Sequence, residues 1–155
     1  MALEIPNIKI DAIDQSDIAL RNISDNINYY HCESIVNVYC LDILKEIPNE
    51  KYDVIVCNPP YIPFQQIKTL EHTVRYYDPM NALTDYADGM TFYKRIFKIS
   101  NTILNKGGLI IFEFGENNQL NKIINIFKDY SYDFFNDLWA SSHTKFFLEI
   151  VIRGN

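Results

Sequence analysis

The sequence predicts an α/β fold: a mostly parallel sheet with helices on both faces and an antiparallel edge at its C-terminal end. Two patterns predict it. Short apolar runs of strand length alternate with segments whose apolar residues recur at helical spacing, the order of a parallel sheet joined by crossover helices. The last two strand patterns follow one another with only a short loop between them, which suits antiparallel neighbours. At 155 residues the chain is expected to form one domain, residues 1–155, with no internal repeat and no dividing linker.

Taken in order, IKIDAID (8–14) reads as a strand that ends in acid. Residues 15–27 follow as a helix, with Ile18, Ala19, Ile23 and Ile27 at helical spacing and Ser16 as its N-cap. SIVNVYC (34–40) is a second strand, again followed by acid in LDIL (41–44). YDVIVC (52–57) is the third, and residues 62 to about 88 read as irregular. MTFYKRIFKISNTIL (90–104) is helical, NKGG (105–108) stops that helix, and LIIFEFG (109–115) is a fourth strand. NQLNKIINIF (118–127) is a helix, and residues 130–138 and 145–152 are the closing strands.

Hydrophobic content of 48% and charge of 22% are ordinary for a globular protein. The apolar runs fall short of the ~20 residues a membrane-spanning helix needs. No leader pattern opens the chain, so a cytoplasmic location is expected. Cys32, Cys40 and Cys57 have the spacing of neither a disulfide framework nor a zinc motif, and no metal is expected. The net charge of −6 argues against a duplex nucleic-acid partner, because phosphate neutralisation supplies most of such affinity. A protein or small-molecule substrate fits better.

The third strand runs straight into Asn-Pro-Pro-Tyr, residues 58–61. Two prolines cannot continue a strand or a helix, and the residue before a proline is held extended. Asn58 is therefore displayed at the carboxyl end of a strand, where open α/β sheets bind ligands. Two readings stand side by side at this point. The segment can simply end the strand. Alternatively, the Asn58 side-chain oxygen and the Pro59 carbonyl can accept both N–H bonds of an amide or aromatic amine. That grip would aim a poorly nucleophilic nitrogen at an electrophile, with the Tyr61 ring against the flat group. Asp14 and Asp42 each follow a strand directly, the place from which an acid hydrogen-bonds a nucleotide ribose. Glu113 and Glu116 flank Gly115 at a strand end, where either could line a pocket, though the first reading is of solvated loop acids.

NPPYI, LEHTVRYYDPMNAL, ADGMTFYKRI and LNKGGLIIFEFGENNQ together resemble the HemK-type family of release-factor glutamine N5-methyltransferases, most closely from Asp53 to Gln119. The resemblance implies a class I S-adenosylmethionine-dependent methyltransferase sheet, Rossmann-like, with an antiparallel C-terminal edge. It implies S-adenosylmethionine as cofactor and a peptide chain release factor as substrate. Asn58, Pro59 and Tyr61 then correspond to the catalytic residues that grip the substrate glutamine. Asp14, Asp42 and Asn58 correspond to cofactor-binding residues, and DPMNAL (78–83) to the loop that shapes the substrate pocket. The family's first strand and glycine-rich loop have no counterpart in this chain, whose first glycine is Gly89, and residues 1–7 read as the end of the helix that follows that loop. Thr73 stands where an acid is usual, Asp85-Tyr86 where Gly-Gly is, and Lys145 where an arginine is. A complementing N-terminal fragment is accordingly an expected partner. The rival readings are an amino-methyltransferase acting on nucleic acid, and a non-catalytic fragment or half of a split enzyme.

Overall fold

The computed structural model describes residues 1–115, 117–136 and 148–153. Two compact units divide it, Met1–Ile47 and Pro48–Asn155. In the first, residues 1–7 form turns. The amides of Glu4 and Ile5 both donate to the Met1 carbonyl at 3.0 Å. Pro6 brings no N–H, and Asn7 turns left-handed at φ +59°, which ends the turn.

β1 (Ile10–Asp14), α1 (Asp17–Tyr29) and β2 (Val36–Cys40) follow as a parallel βαβ unit. β1 and β2 run in register from Ile10 opposite Val36 to Asp14 opposite Cys40. Ser16 caps α1 as its sequence context predicts, its hydroxyl accepting from the Ala19 amide at 3.4 Å. Ala19, Ile23 and Ile27, spaced four apart, are half-buried, whereas Ile18 lies off that stripe and is 70% exposed. Cys32 is the one buried residue between Met1 and Ile47. Two strands and one helix have too little apolar surface to enclose a core.

The second unit is built around β3 (Tyr52–Cys57), α2 (His72–Tyr77), α3 (Met80–Leu83), α4 (Thr91–Ile103), β4 (Leu104–Phe114), α5 (Asn117–Ile126), β5 (Ser131–Asn136) and β6 (Leu148–Arg153). Its sheet has the order β3-β4-β6-β5. β3 and β4 are parallel, and β6 is antiparallel to both β4 and β5. The closing pair is thus antiparallel as predicted, with β6 inside the sheet and β5 at its edge. Among the described residues the ladders are β1-β2 in the first unit and β3-β4-β6-β5 in the second, consistent with the class I sheet lacking its first strand. Lys145, like the rest of 137–147, and Glu116 lie outside the described residues.

Two stretches depart from the sequence reading. NKGG does not separate α4 from β4 but belongs to β4, which starts at Leu104. Leu104 pairs with Tyr52 and Leu109 with Val54, so the intervening residues bulge from the ladder. Gly107 takes φ +74° there, a value that glycine adopts without strain. Residues 62–88 are not wholly irregular either. They hold a 3-10 turn (Phe64–Thr69), α2 and α3. Pro63 and Pro79 stand at the entry to the 3-10 turn and to α3, where a missing N–H costs nothing. The helices are too short to give a periodic signal.

The core joins α4, β4 and α5. Tyr93, Ile96, Ile99 and Ile103 form the inward stripe of α4 and meet Ile110, Phe112 and Phe114 of β4, with Ile123 and Phe127 beside α5's end. Phe112 lies 5.0 Å from Tyr93 and 5.6 Å from Phe127 between ring centroids. Each such side chain contributes about 1.5–3 kcal/mol by leaving water. The rigid end of β4 that results is what the candidate site leans on.

Candidate functional site

The Asn58–Tyr61 segment leaves β3 at its carboxyl end and is pinned from three directions. The Ile62 amide donates to the Leu83 carbonyl at 2.9 Å, and the Phe64 amide to the Ala87 carbonyl at 3.0 Å. The Tyr61 hydroxyl donates to Glu113 Oε1 at 3.2 Å, and the Tyr61 carbonyl accepts from Gln119 Nε2 at 2.6 Å. Pro59 is buried, whereas Asn58 is exposed. A cavity of about 240 Å³ opens here, lined by Asn58, Pro59, Tyr61 and Ile62, by Asp78, Pro79, Ala82 and Leu83, and by Glu113.

Gly89 explains how the loop can sit so close to α4. Its φ is +77°, and a Cβ built on it would lie 2.1 Å from the Tyr61 carbonyl oxygen. No side chain fits there. Asp85 holds the same turn, and supplies the cap that Met90, at the N-cap position, does not. Its Oδ1 accepts from the amides of Ala87 (2.8 Å) and Gly89 (3.0 Å), and its Oδ2 from the amide of Thr91 (3.0 Å). Burial by itself would raise the Asp85 carboxyl, but hydrogen bonds from Thr91, Ala87 and Gly89 outweigh it and lower the pKa.

Burial pushes the Tyr61 phenol up to about 12, with the charge of Glu113 and the hydrogen bond to it adding. Tyr61 is therefore a neutral donor near pH 7, not a base. Burial also pushes the Cys57 thiol up to about 12, so it is no thiolate nucleophile. Tyr93 is raised further, chiefly by burial, and its hydroxyl donates to the Glu113 carbonyl at 2.8 Å.

The sequence-derived site residues fall into two groups. Asn58, Pro59 and Tyr61 are brought together in the second unit. Asp14, the last residue of β1, and Asp42, just beyond β2, lie in the first. The Asp14 carboxylate accepts from the Ser16 amide at 2.8 Å. Asp42 accepts from the Leu44 amide at 3.0 Å and pairs with Lys45 at 2.8 Å, which raises the lysine's pKa. Acids at adjacent parallel strand ends are an acceptor set that suits ribose hydroxyls. One reading is corrected. Glu113 is not a solvated loop acid but a residue of β4 on the cavity wall, because β4 runs one residue short of Gly115 and carries Glu113 to Tyr61. Gln119 and Asp85 carried no signal of their own. Gln119 shows itself only through the ends it joins, one of them far away in the chain, and Asp85 through the amides it holds two to six residues ahead.

Among the described residues no group of His, Cys, Asp and Glu could hold a metal ion, and no helix is long and apolar enough to cross a membrane.

A parallel βαβ unit with acids at its strand ends, a sheet with an antiparallel edge, and an Asn-Pro-Pro-Tyr cavity at the end of β3 define a class I methyltransferase fold. A solved methyltransferase from Pyrococcus furiosus superposes on it with a TM-score of 0.71 at 18% identity, over 100% of this chain and 68% of that one. The family described as the methyltransferase small domain matches residues 1–75. The release factor glutamine methyltransferase of Clostridium botulinum is 36% identical over 128 residues, 81% of this chain and 45% of that protein. The ribosomal protein uL3 glutamine methyltransferase of Bordetella pertussis is 32% identical over 114 residues, 74% of this chain and 38% of that protein. These relatives support a place for the chain in the HemK-type family of glutamine methyltransferases. It spans less than half the length of the curated relatives named here.

Proposed function

We propose that this chain is the substrate-gripping part of a cytoplasmic S-adenosylmethionine-dependent N-methyltransferase, acting on the side-chain amide of a glutamine in a peptide chain release factor. The observation that carries the reading is the cavity at the end of β3, where Asn58, Pro59 and Tyr61 face the Asp78–Leu83 segment and Glu113. Asp14 and Asp42, at the strand ends of the first unit, would hold the cofactor's nucleoside. When bound, the cofactor supplies an electrophilic methyl group on a sulfonium sulfur, which keeps the electron pair of the broken bond. The protein's part is positioning. Asn58 and the Pro59 carbonyl accept the two amide N–H bonds, which aims the nitrogen and favours the positive charge that develops on it. The nitrogen gives its proton to water once the new N–C bond has formed. No base of the protein is needed, which agrees with a neutral Tyr61.

The same reading takes residues 1–155 as part of one methyltransferase domain and includes a complementing N-terminal fragment as partner. β3 stands at the edge of its sheet with Val54 and Val56 exposed, and the first unit buries Cys32 alone. An unpaired apolar edge is a template for another strand. A chain that binds such a fragment without catalysis is the alternative within this picture.

The test is a methyl-labelling assay with the whole enzyme, offering release factor, ribosomal protein uL3 and nucleic acid. Label is expected in the release factor and resistant to nuclease. Label in RNA or DNA would establish the nucleic-acid reading, and label in uL3 would reassign the substrate. Asn58→Ala is expected to cut turnover by about tenfold to a thousandfold with little change in cofactor affinity. Near-normal turnover would remove Asn58 from the centre of the site.

A further inference from the structure

We propose that Gln119 is a positioning residue of this site, a buried two-ended amide clamp that sets where Tyr61 stands and, through it, the Asn58–Pro59 wall of the cavity. The clamp's bearing on turnover rests on the glutamine-gripping reading above; the clamp itself does not. Gln119 lies in the first turn of α5 and is 4% exposed. Its Nε2 donates to the Tyr61 carbonyl at 2.6 Å while its Oε1 accepts from the Gly115 amide at 2.9 Å. One side chain thus ties the segment after β3 to the residue that follows β4.

The surroundings leave this side chain no slack. A Cβ on Gly89 would lie 3.1 Å from Gln119 Nε2, and one on Gly115 would lie 3.2 Å from Gln119 Oε1 and 2.9 Å from the Tyr61 ring. The Tyr61 hydroxyl is meanwhile held by Glu113, two residues before Gly115. Tyr61 is therefore tied to the end of β4 directly by its hydroxyl and, through Gln119, by its carbonyl. A glutamine is the side chain that satisfies both ends. Glutamate keeps the acceptor for Gly115 but sets an oxygen against the Tyr61 carbonyl, asparagine is a methylene short, and leucine fills the space with neither bond.

NMR of the labelled 155-residue chain tests the clamp without any assumption about substrate. In the unmutated chain the Gln119 side-chain amide protons are expected to exchange with solvent at least about tenfold more slowly than those of exposed Gln65. Gln119→Glu is expected to keep the Gly115 amide protected while shifting the Tyr61 resonances, and Gln119→Leu to lose the Gly115 protection and shift Tyr61 as well. Fast exchange of the Gln119 side chain in the unmutated chain would overturn the proposal. Unmoved Tyr61 and Gly115 signals in the leucine variant, with Ile110 and Phe112 amides still protected, would overturn it too. If the leucine variant unfolds, the unmutated chain and the glutamate variant decide. In the whole enzyme, Gln119→Glu is expected to lower kcat about tenfold or more while leaving the KM for S-adenosylmethionine nearly unchanged. A clamp intact by exchange in an enzyme that methylates no glutamine would overturn the functional reading and leave the clamp standing.

Discussion

Gly89→Ala tests the contact on which the site is built. Two costs can be worked from the structure. A residue with a Cβ at φ +77° loses about 1–2 kcal/mol in the left-handed region. The new methyl would also stand 2.1 Å from the Tyr61 carbonyl oxygen, and real contacts of this kind essentially never fall below 3.0 Å, so something must move by about 0.9 Å. That oxygen is held by Gln119 at 2.6 Å. Moving it breaks this one part-buried bond, at about 1–3 kcal/mol for a polar group left without its partner. The sum is about 2–5 kcal/mol, or a Tm lowered by about 4–20 °C for a chain of this size. Gly107→Ala is the internal control. Its φ is nearly the same, +74°, yet nothing lies within 4 Å of the position a Cβ would take. It should lose the conformational part alone, about 1–2 kcal/mol. Thermal and urea unfolding of both variants, read by circular dichroism, measure the difference. If Gly89→Ala costs no more than Gly107→Ala, the close approach of Gly89 to Tyr61 is refuted. In the whole enzyme the shifted segment should also cost about a hundredfold in turnover, the usual penalty for an ångström of misplacement.

Asp85→Asn leaves one acceptor oxygen where two serve three amides, and should lose about 1–2 kcal/mol of stability at neutral pH, as for a removed helix cap. Because the folded carboxyl is lowered from 3.8, its contribution is fully present above that value and is lost as pH falls through the lower folded one, so the gap between wild type and variant should narrow as pH falls below 3.8. Urea unfolding across pH measures this, and a gap that widens in acid would contradict the capping account. Separately, S-adenosylmethionine should bind the 155-residue chain more weakly than the low micromolar range typical of a formed site, since its acids at β1 and β2 come with no glycine before Gly89 to let a backbone loop cradle the methionine carboxylate. Isothermal titration decides it, and a dissociation constant on the order of 1–10 μM would show that other amides serve.

Much of this protein was legible from its sequence because the signals are local. Period and capping placed β1, α1, β2, β3, α4 and α5 within a few residues. Asn-Pro-Pro-Tyr announced a rigid strand end, since prolines restrict the chain whatever surrounds it. Three things were decided only by tertiary structure. NKGG reads locally as a helix stop, and only its pairing with β3 shows it to be a bulge within β4. Glu113 reads as a solvated acid until the fold brings it to Tyr61, 52 positions away. Gln119 reads as one more polar residue in a helix until its amide meets the Tyr61 carbonyl, 58 positions away, with Gly89 closing on the same oxygen. Backbone period and turn chemistry are properties of neighbours along the chain, and a sequence displays them. A clamp between distant segments exists only once packing has removed the water that each polar end would otherwise have kept.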